Sequence, residues 1–535
     1  MPLDLNNFQD PNLSEEFLLH LLDRQAPETH RRHALLWDYY RNPSRPASGP
    51  AADALNTNSR PYFQAQEAGL PARITGISRL GSAQKLTDLQ RKEVVVENDI
   101  AWRINTMVDF LFGRPVRLRP LAADPQAAAA VQAVADALLE ANGGLELLQE
   151  MALLGSIHGF VDVAFRFPAG DTSCDQPPQV TSQPSPAAGD ADGHAPAHRP
   201  GRRQAATARA VAFARSIRLE VIEPARVLPI LHEDDYRTIR YWVQRYVKHP
   251  PRLDTCRRRW WKPGGETAPA QVEVVEICGP HWWQRYENRR LAAEGANLLG
   301  RPAVVHVPNL PVPGCYSGAG DVEPLIPLQD ELNTRLSDRA NRVTYQSFRM
   351  YLGKCIDDFV ERPVGPGQMW ATDNPDASIE EFGADAGSPS ENVHIEQVRS
   401  ALDKVSGVTP VAAGLLRGNV GHLTSATALR VVLSGLLART AKKRLAYGRG
   451  LRNIVATALE LMDRAGVLHT RPEDRRVEVH WPDMLPTDEG EQLRNARVKA
   501  ALGVPAERLL AELGYENIHT KERASAPRPA RTDWP

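Results

Sequence analysis

The longest helical pattern in the chain constrains its fold most. It opens at Thr424-Ser425, residue types that cap a helix by accepting from its free N–H groups, and it runs to about Arg464. Roughly 40 residues at about 1.5 Å each make a rod on the order of 60 Å long. Gly435, Gly448 and Gly450 lie inside it and each cost about 1 kcal/mol against alanine, so bends are expected there. The rod carries Arg430, Arg439, Lys442, Lys443, Arg444, Arg449 and Arg452 with no acidic residue before Glu460. A solvated helix face ordinarily interleaves Glu at i and i+4 for pairing. The run therefore points to an interface or to DNA.

Apolar periodicity organises the rest. A short helix is expected over 14–22, then polar loop over 42–54. Spacings of three and four among Val96, Ile100, Ile104, Val108 and Leu111 predict a helix over 86–112, ended by Gly113 and Pro115. Helices over 125–141 and 145–157 follow. Alternation at Val161, Val163, Phe165 and Phe167 with Asp162, Ala164 and Arg166 predicts a half-buried strand. Further strands are expected over 217–222, 239–247, 272–277 and 303–307. Helical period returns at 322, with Leu325, Leu328, Leu332, Leu336 and Val343 on one stripe and Asp330, Arg335, Asp338, Arg339 and Arg342 on others. Short strands and turns are expected over 351–390, a helix over 392–405, a glycine-bearing loop after it, and C-terminal helices over 489–501 and 506–513.

One segment looks unable to fold alone. Residues 168–210 are crowded with Pro, Ala, Gly, Asp and Ser and nearly free of large apolar side chains, so burial cannot offset the entropy of ordering them. They are expected to be a disordered insertion. Totals of 64 Lys plus Arg against 65 Asp plus Glu argue against a protein that grips nucleic acid through many phosphates. The five cysteines are scattered, without a C-x-x-C pair, which disfavours a zinc site or disulfide framework and suits synthesis in a reducing cytoplasm. Neither a signal peptide nor a membrane span is expected, because no basic N-region precedes an apolar core and no run of about 18 apolar residues occurs.

Motifs for chemistry are mostly missing. Gly353-Lys354 has Phe348 where the first glycine of a phosphate loop belongs, and Gly318-Ala319-Gly320 continues as Asp321-Val322-Glu323 rather than as a dinucleotide fingerprint. The His30/His33 and His194/His198 pairs are spaced for a helix face, but Pro196 breaks the second. Trp260-Trp261 and Trp282-Trp283 with Tyr286, flanked by Arg257, Arg258, Arg259 and Arg285, could stack on single-stranded nucleic acid. Antiparallel strands turning aromatics toward a core or a neighbouring subunit account for them better, since adjacent strand residues face opposite ways. No enzymatic activity, cofactor or metal is expected. The alternative is a metal-dependent nucleic-acid enzyme in which Asp321, Glu323 and Asp330 gather a divalent ion, although a helix N-terminus favours carboxylates for dipole reasons alone.

Four stretches in order resemble the portal proteins of tailed double-stranded-DNA bacteriophages, between about residues 84 and 516. Residues 92–120, KEVVVENDIAWRINTMVDFLFGRPVRLRP, are similar to the family's early wing helix. Residues 304–309 followed by Gly320-Asp321-Val322-Glu323 and then L-x-D-x-x-N-x-x-x-S-D at 328–338 resemble the start of its stem helix. SGVTPVAAG and TSATALRVVLSGL, within 405–436, resemble the second stem helix, the tunnel loop and the long wing helix. Residues 502–515 look like the helical crown. The long insertion, and Thr424-Ser425-Ala426 where many relatives have Ser-Gly, depart from the pattern.

The resemblance implies an α+β portal fold: a mixed α/β wing over 1–320, a helical stem over 321–350 and 391–408, and a small α/β clip over 351–390. A tunnel loop over 409–423, a long kinked wing helix over 424–465 and a helical C-terminal crown over 466–535 complete it. It implies a homododecameric ring at one capsid vertex of the virion, assembled in the bacterial host cytoplasm, with no membrane. The implied partners are duplex DNA passing through the channel, terminase, the major capsid or scaffold protein, and head–tail adaptors. Stem residues in that arrangement are Asp330, Asn333, Arg335, Asp338, Arg339 and Arg342, and channel residues are Leu415, Leu416, Arg417, Asn419 and His422. Twelve helices of roughly 10 Å diameter around an axis leave a bore of about 28 Å. A duplex on the order of 20 Å wide passes through it.

Overall fold

Local signals decide where the first helices begin. Ser14 caps α1 (Glu15–His20) by accepting from the Phe17 N–H, and a π-helical turn over Leu21–Gln25 leads into α2 (Ala26–Arg41). Asn98 caps α3 (Asp99–Phe112) by accepting from the Ala101 N–H. The helix expected over 86–112 therefore starts at Asp99, and 95–98 is non-helical. The computed structural model describes residues 13–41, 95–166, 201–248, 271–347, 350–355, 375–382, 389–414, 426–485 and 489–513.

The chain continues through β1 (Arg117–Pro120), α4 (Pro125–Ala141), α5 (Leu145–His158) and β2 (Phe160–Arg166). Next come α6 (Gly201–Ser216), β3 (Arg218–Ile222), β4 (Val227–Leu231), β5 (Ile239–Lys248), β6 (Val272–Cys278), β7 (Trp282–Glu287), β8 (Arg290–Ala296) and β9 (Val304–Pro308). A helical pair follows, α7 (Ile326–Ser347) and α8 (Pro389–Ser406), with β10 (Met350–Lys354) and β11 (Ser378–Phe382) between them. Then come α9 (Ala426–Val432), α10 (Ser434–Arg464) and β12 (Val477–His480). Residues 1–480 form one compact unit and 481–535 a second. In the second, α11 (Glu489–Ala501) and α12 (Ala506–Glu512) are tied by a Lys499–Glu512 ion pair at 2.6 Å.

All strand pairs are antiparallel: β4-β5-β6-β7-β8, β3-β2-β9, β1-β12 and β10-β11. One face of the five-stranded sheet offers Tyr241, Val243, Val275, Ile277 and Tyr286 to Leu18, Leu21 and Leu22 of the N-terminal helices. Trp282 packs on this cluster while Trp283 stays exposed, the split expected of adjacent strand residues. Trp260-Trp261 lie outside the described residues. A second core joins α2, α3, α5, α7 and α8 through Leu36, Ile104, Ile157, Leu325, Leu332, Ile395 and Leu402. Each such side chain, fully buried, is worth about 1.5–3 kcal/mol.

Three expectations need correction. Residues 201–210, placed in the disordered insertion, form the first turns of α6, which packs on α4 and buries Ala210 and Ala214 completely. Small apolar residues suffice there because alanine has the best helix propensity and lets two helices approach closely. The rest of that segment, 168–200, lies outside the described residues. β2 is buried on both faces, because Asp162 on its supposed wet face is fully buried and accepts from Trp242 Nε1 (3.0 Å) and the Tyr316 hydroxyl (3.0 Å). The long rod breaks at Leu433, between α9 and α10, and α10 runs on through Gly448 and Gly450. Gly450 serves close packing: a Cβ there would sit 2.5 Å from a Val307 methyl.

Two buried histidines join α2 to α5. His33 Nδ1 and His158 Nδ1 are 3.2 Å apart, so one donates to the other, and Trp37 stacks over His158. Burial, helped by Arg32 and His30, pushes His33 down to about 4, and burial with His33 pushes His158 down to about 3. Both values lie below 6.5, so the unfolded chain binds more protons below that pH. The stabilisation is complete above 6.5 and falls as pH drops toward 4. Chemical denaturation should show a loss on the order of 4 kcal/mol between pH 7 and pH 5, about 2 from each histidine. A His33→Phe/His158→Leu variant should lack that part of the slope; an unchanged slope would contradict the assignment.

Candidate functional site

The carboxylate that the sequence placed at the start of the stem helix is the centre of a buried junction. A Cβ at Gly159 (φ +94°), just after α5, would lie 2.3 Å from the Gly318 carbonyl, so only glycine lets these backbones meet. This contact brings Asp321 under α5, where its N–H donates to the Ser156 carbonyl at 2.7 Å. Asp321, fully buried, accepts from Lys443 Nζ at 2.6 Å, Arg439 at 2.6 Å and the Asn309 amide at 2.9 Å. Lys443 also donates to Ser156 Oγ at 2.8 Å, and the Tyr447 hydroxyl donates to Asn309 Oδ1 at 3.2 Å. Burial opposes the charge on Asp321, yet Lys443 and Arg439 outweigh it and hold the carboxyl below its usual range. Burial pulls Lys443 down from the ordinary lysine value against the attraction of Asp321. Four segments are thus locked at one point: α5, the end of β9, the lead-in to α7, and α10.

A second junction runs along α7. Gln329, Asn333 and Ser337 are fully buried at spacings of four and hold the backbone of 95–99. Val95 N–H donates to Ser337 Oγ (3.0 Å), Glu97 N–H to Asn333 Oδ1 (3.0 Å) and Asp99 N–H to Gln329 Oε1 (3.2 Å). Gln329 Nε2 returns a bond to the Glu97 carbonyl at 2.6 Å. Val96, expected on a helix stripe, belongs to this strap. One turn into α3, Arg103 is buried against Asp99 (3.1 Å) and Asp403 (2.7 Å) and donates to Ser406 Oγ and the Val408 carbonyl. It fixes the end of α8 just before 409–414.

The structure divides the sequence-predicted residues. Of the residues expected in a stem, Asn333 belongs to the strap, Asp330 accepts from the Tyr39 hydroxyl (2.8 Å), Arg335 pairs with Glu331 and Asp338, Arg342 pairs with Glu391, and Arg339 is exposed. In the basic helix, Arg439 and Lys443 turn inward to Asp321, which corrects their assignment to a DNA-facing or interface surface. Their acid comes from over a hundred residues upstream, beyond any i to i+4 comparison. Arg444 is partly buried, whereas Arg430, Lys442, Arg449 and Arg452 are exposed. Leu415, Leu416, Arg417, Asn419 and His422 lie outside the described residues.

The three carboxylates of the enzyme alternative are not brought together: Asp321 faces Lys443 and Arg439, Glu323 faces Arg32 (3.0 Å), and Asp330 faces Tyr39. Among the described residues no group of three or more His, Cys, Asp or Glu could hold a metal. A groove of about 600 Å³ lies between β9, residues 236–239 and α10, with Cys315 and His306 in its wall. His306 is engaged on both nitrogens, by Asp162 (2.7 Å) and the Tyr316 carbonyl (3.0 Å), so it is not placed as a base for the thiol. Among the described residues no helix is long and apolar enough to cross a membrane.

Among the described residues, fold and site define a mixed α/β protein with two interior polar junctions. Residues 303–521 match the family described as phage portal protein, SPP1 Gp6-like, and the likeness of this chain to phage portal proteins is thereby shown. No curated protein matches the chain. A chain from the neck of an empty gene transfer agent (GTA) particle aligns at 12% identity over 86% of this chain and 98% of its own, with a TM-score of 0.42. One from the virion of a native GTA particle aligns at 14% over 84% and 94%, with a TM-score of 0.38.

Proposed function

We propose that the chain is one subunit of a homododecameric portal ring at a single capsid vertex, a passive conduit for duplex DNA during packaging and ejection. The family match over 303–521 carries this reading, since it spans α7, α8 and α10. Terminase, the capsid or scaffold protein, and head–tail adaptors are its proposed partners, and the virion is its place. Residues 1–320 serve as wing, 321–350 and 391–408 as stem, 351–390 as clip, 424–465 as long wing helix and 466–535 as crown. The loop over 409–423 forms the constriction, with Leu415, Leu416, Arg417, Asn419 and His422 toward DNA. The interior junctions suit such a part, which must hold shape while cargo moves through it. ATP-driven work belongs to the separate terminase.

The test is the mass of the purified full-length protein together with an image down its axis. A closed ring of about twelve copies, with a bore on the order of 28 Å, is the expected result. A monomer or dimer at every concentration and salt would sink the proposal. Mg²⁺-dependent nuclease activity lost in Asp330→Ala would favour the enzyme instead.

A further inference from the structure

The described residues leave two charged surfaces unpaired within one copy. On α10, Ala438, Lys442, Leu445, Arg449 and Arg452 recur at spacings of three and four and form one exposed stripe. Leu445 is 74% exposed in its middle. Lys442 and Arg449 make no ion pair among the described residues, in contrast to Arg439 and Lys443 on the buried side. The opposite charge is concentrated elsewhere. Between Pro120 and Phe165 the chain has six acidic residues and no lysine or arginine. Asp124 caps α4, Asp136 takes the Gln132 amide and Asp162 is buried. Glu140 is exposed near the end of α4, and Glu146 and Glu150 lie one turn apart on the exposed side of α5, with Asp109 likewise exposed on the neighbouring α3.

Their own surroundings do not neutralise these acids. The α5 N-terminus accounts for part of the preference for Glu146 through the helix dipole, but Glu150 lies beyond the first turn. Arg209 and Arg215 of α6, which packs on α4, are exposed and make no ion pair with them among the described residues. With no cation beside them, Glu150 and Asp109 are both raised above the ordinary carboxylate value by partial burial.

We propose that the Lys442–Leu445–Arg449 stripe of one copy docks on the Glu146–Glu150 face of the next. The inference rests on the ring reading and names the surfaces that would build it. A second copy fits better than a duplex, because Leu445 offers apolar contact at the centre of a charged rim, the anatomy of a protein interface, and a phosphate backbone has no use for it. Near-equal totals of 64 basic and 65 acidic residues also let each copy supply both halves. Because the two patches differ, the contact is heterologous and repeats head to tail, which closes into a ring when the rotation permits.

Two measurements decide it. In wild-type rings assembled from mixed ¹⁵N-labelled and unlabelled copies, carbodiimide coupling should join Lys442 to Glu146 or Glu150 as isotopically mixed peptides. Coupling of Lys442 only to other carboxylates, or only within one copy, overturns the assignment. Lys442→Glu/Arg449→Glu should remain folded but lose rings, with at least an about tenfold fall in ring fraction at matched concentration. Glu146→Lys/Glu150→Lys should do the same, and the four changes in one chain should restore rings. Wild-type rings with equally ring-forming reversed variants would refute this docking alone, whereas a wild-type monomer would refute the ring itself. Reversed α10 variants that keep rings but lose DNA retention would assign the stripe to DNA.

Discussion

Lys443→Met is expected to destabilise the first unit by about 3–5 kcal/mol, the penalty for leaving a buried charge short of its partner. The substituted side chain nearly matches the lysine stem, so packing against Met107 changes little while Asp321 loses its bond from Nζ at 2.6 Å. Arg439, more exposed than Lys443, cannot take over both carboxylate oxygens, because it bonds Oδ1 and Lys443 bonds Oδ2. Ser156 Oγ loses its donor as well. Urea denaturation of the purified chain at pH 7 reads the loss directly. Asp321→Asn with Lys443→Met should recover part of it, since neither charge is then left buried against an empty place. Destabilisation under about 1 kcal/mol in the single variant would mean that the pair contributes little.

Arg103→Met is the second large effect, again about 3–5 kcal/mol, and its consequence is local as well as global. The guanidinium bonds Asp99 and Asp403 and also the Val408 carbonyl, so its loss strands two carboxylates and frees the backbone after α8. Hydrogen exchange at 403–414 should accelerate by more than the global loss of stability explains. Arg103→Lys should not rescue it, because a single ammonium cannot reproduce the planar fork that reaches both carboxylates and a carbonyl. Exchange at 403–414 that tracks the rest of the unit would show that Arg103 contributes stability without fixing this segment.

Elements with one clear period were legible before any coordinates. The helices at 125–141 and 145–158 and the strands at 239–248 and 272–278 follow from spacing alone. The Trp282-Trp283 pair with Tyr286 already reads as a strand, which is β7, whereas β8 (Arg290–Ala296) is hidden because Ala, Glu and Gly surround its single large aliphatic residue, Leu291. The buried polar groups were hidden for a different reason. Asp162, Arg103 and Lys443 look solvated in a linear chain, and apart from Asp99 beside Arg103 the partners that satisfy them lie 80 or more residues away. A trace of the α7 strap was visible: Gln329, Asn333 and Ser337 recur every four residues, beside the apolar stripe rather than opposite it. Polar residues at that spacing on a buried side announce a backbone docked against the helix. The acidic counterpart of α10 was likewise present as a stretch without lysine or arginine, but absence of a residue type is harder to notice than its clustering.

The strap also sets how α7 yields under tension. Its bonds are spread from Gln329 to Ser337, roughly 12 Å along the helix axis at about 1.5 Å per residue. A pull along that axis stretches all of them together, in shear, so no single bond carries the whole force. A pull across the axis peels Ser337 from Val95 first and then works toward Gln329 one bond at a time. The same few hydrogen bonds are therefore strong in one direction and weak in the other, and α7 resists being drawn lengthwise past 95–99 far better than being levered sideways from it.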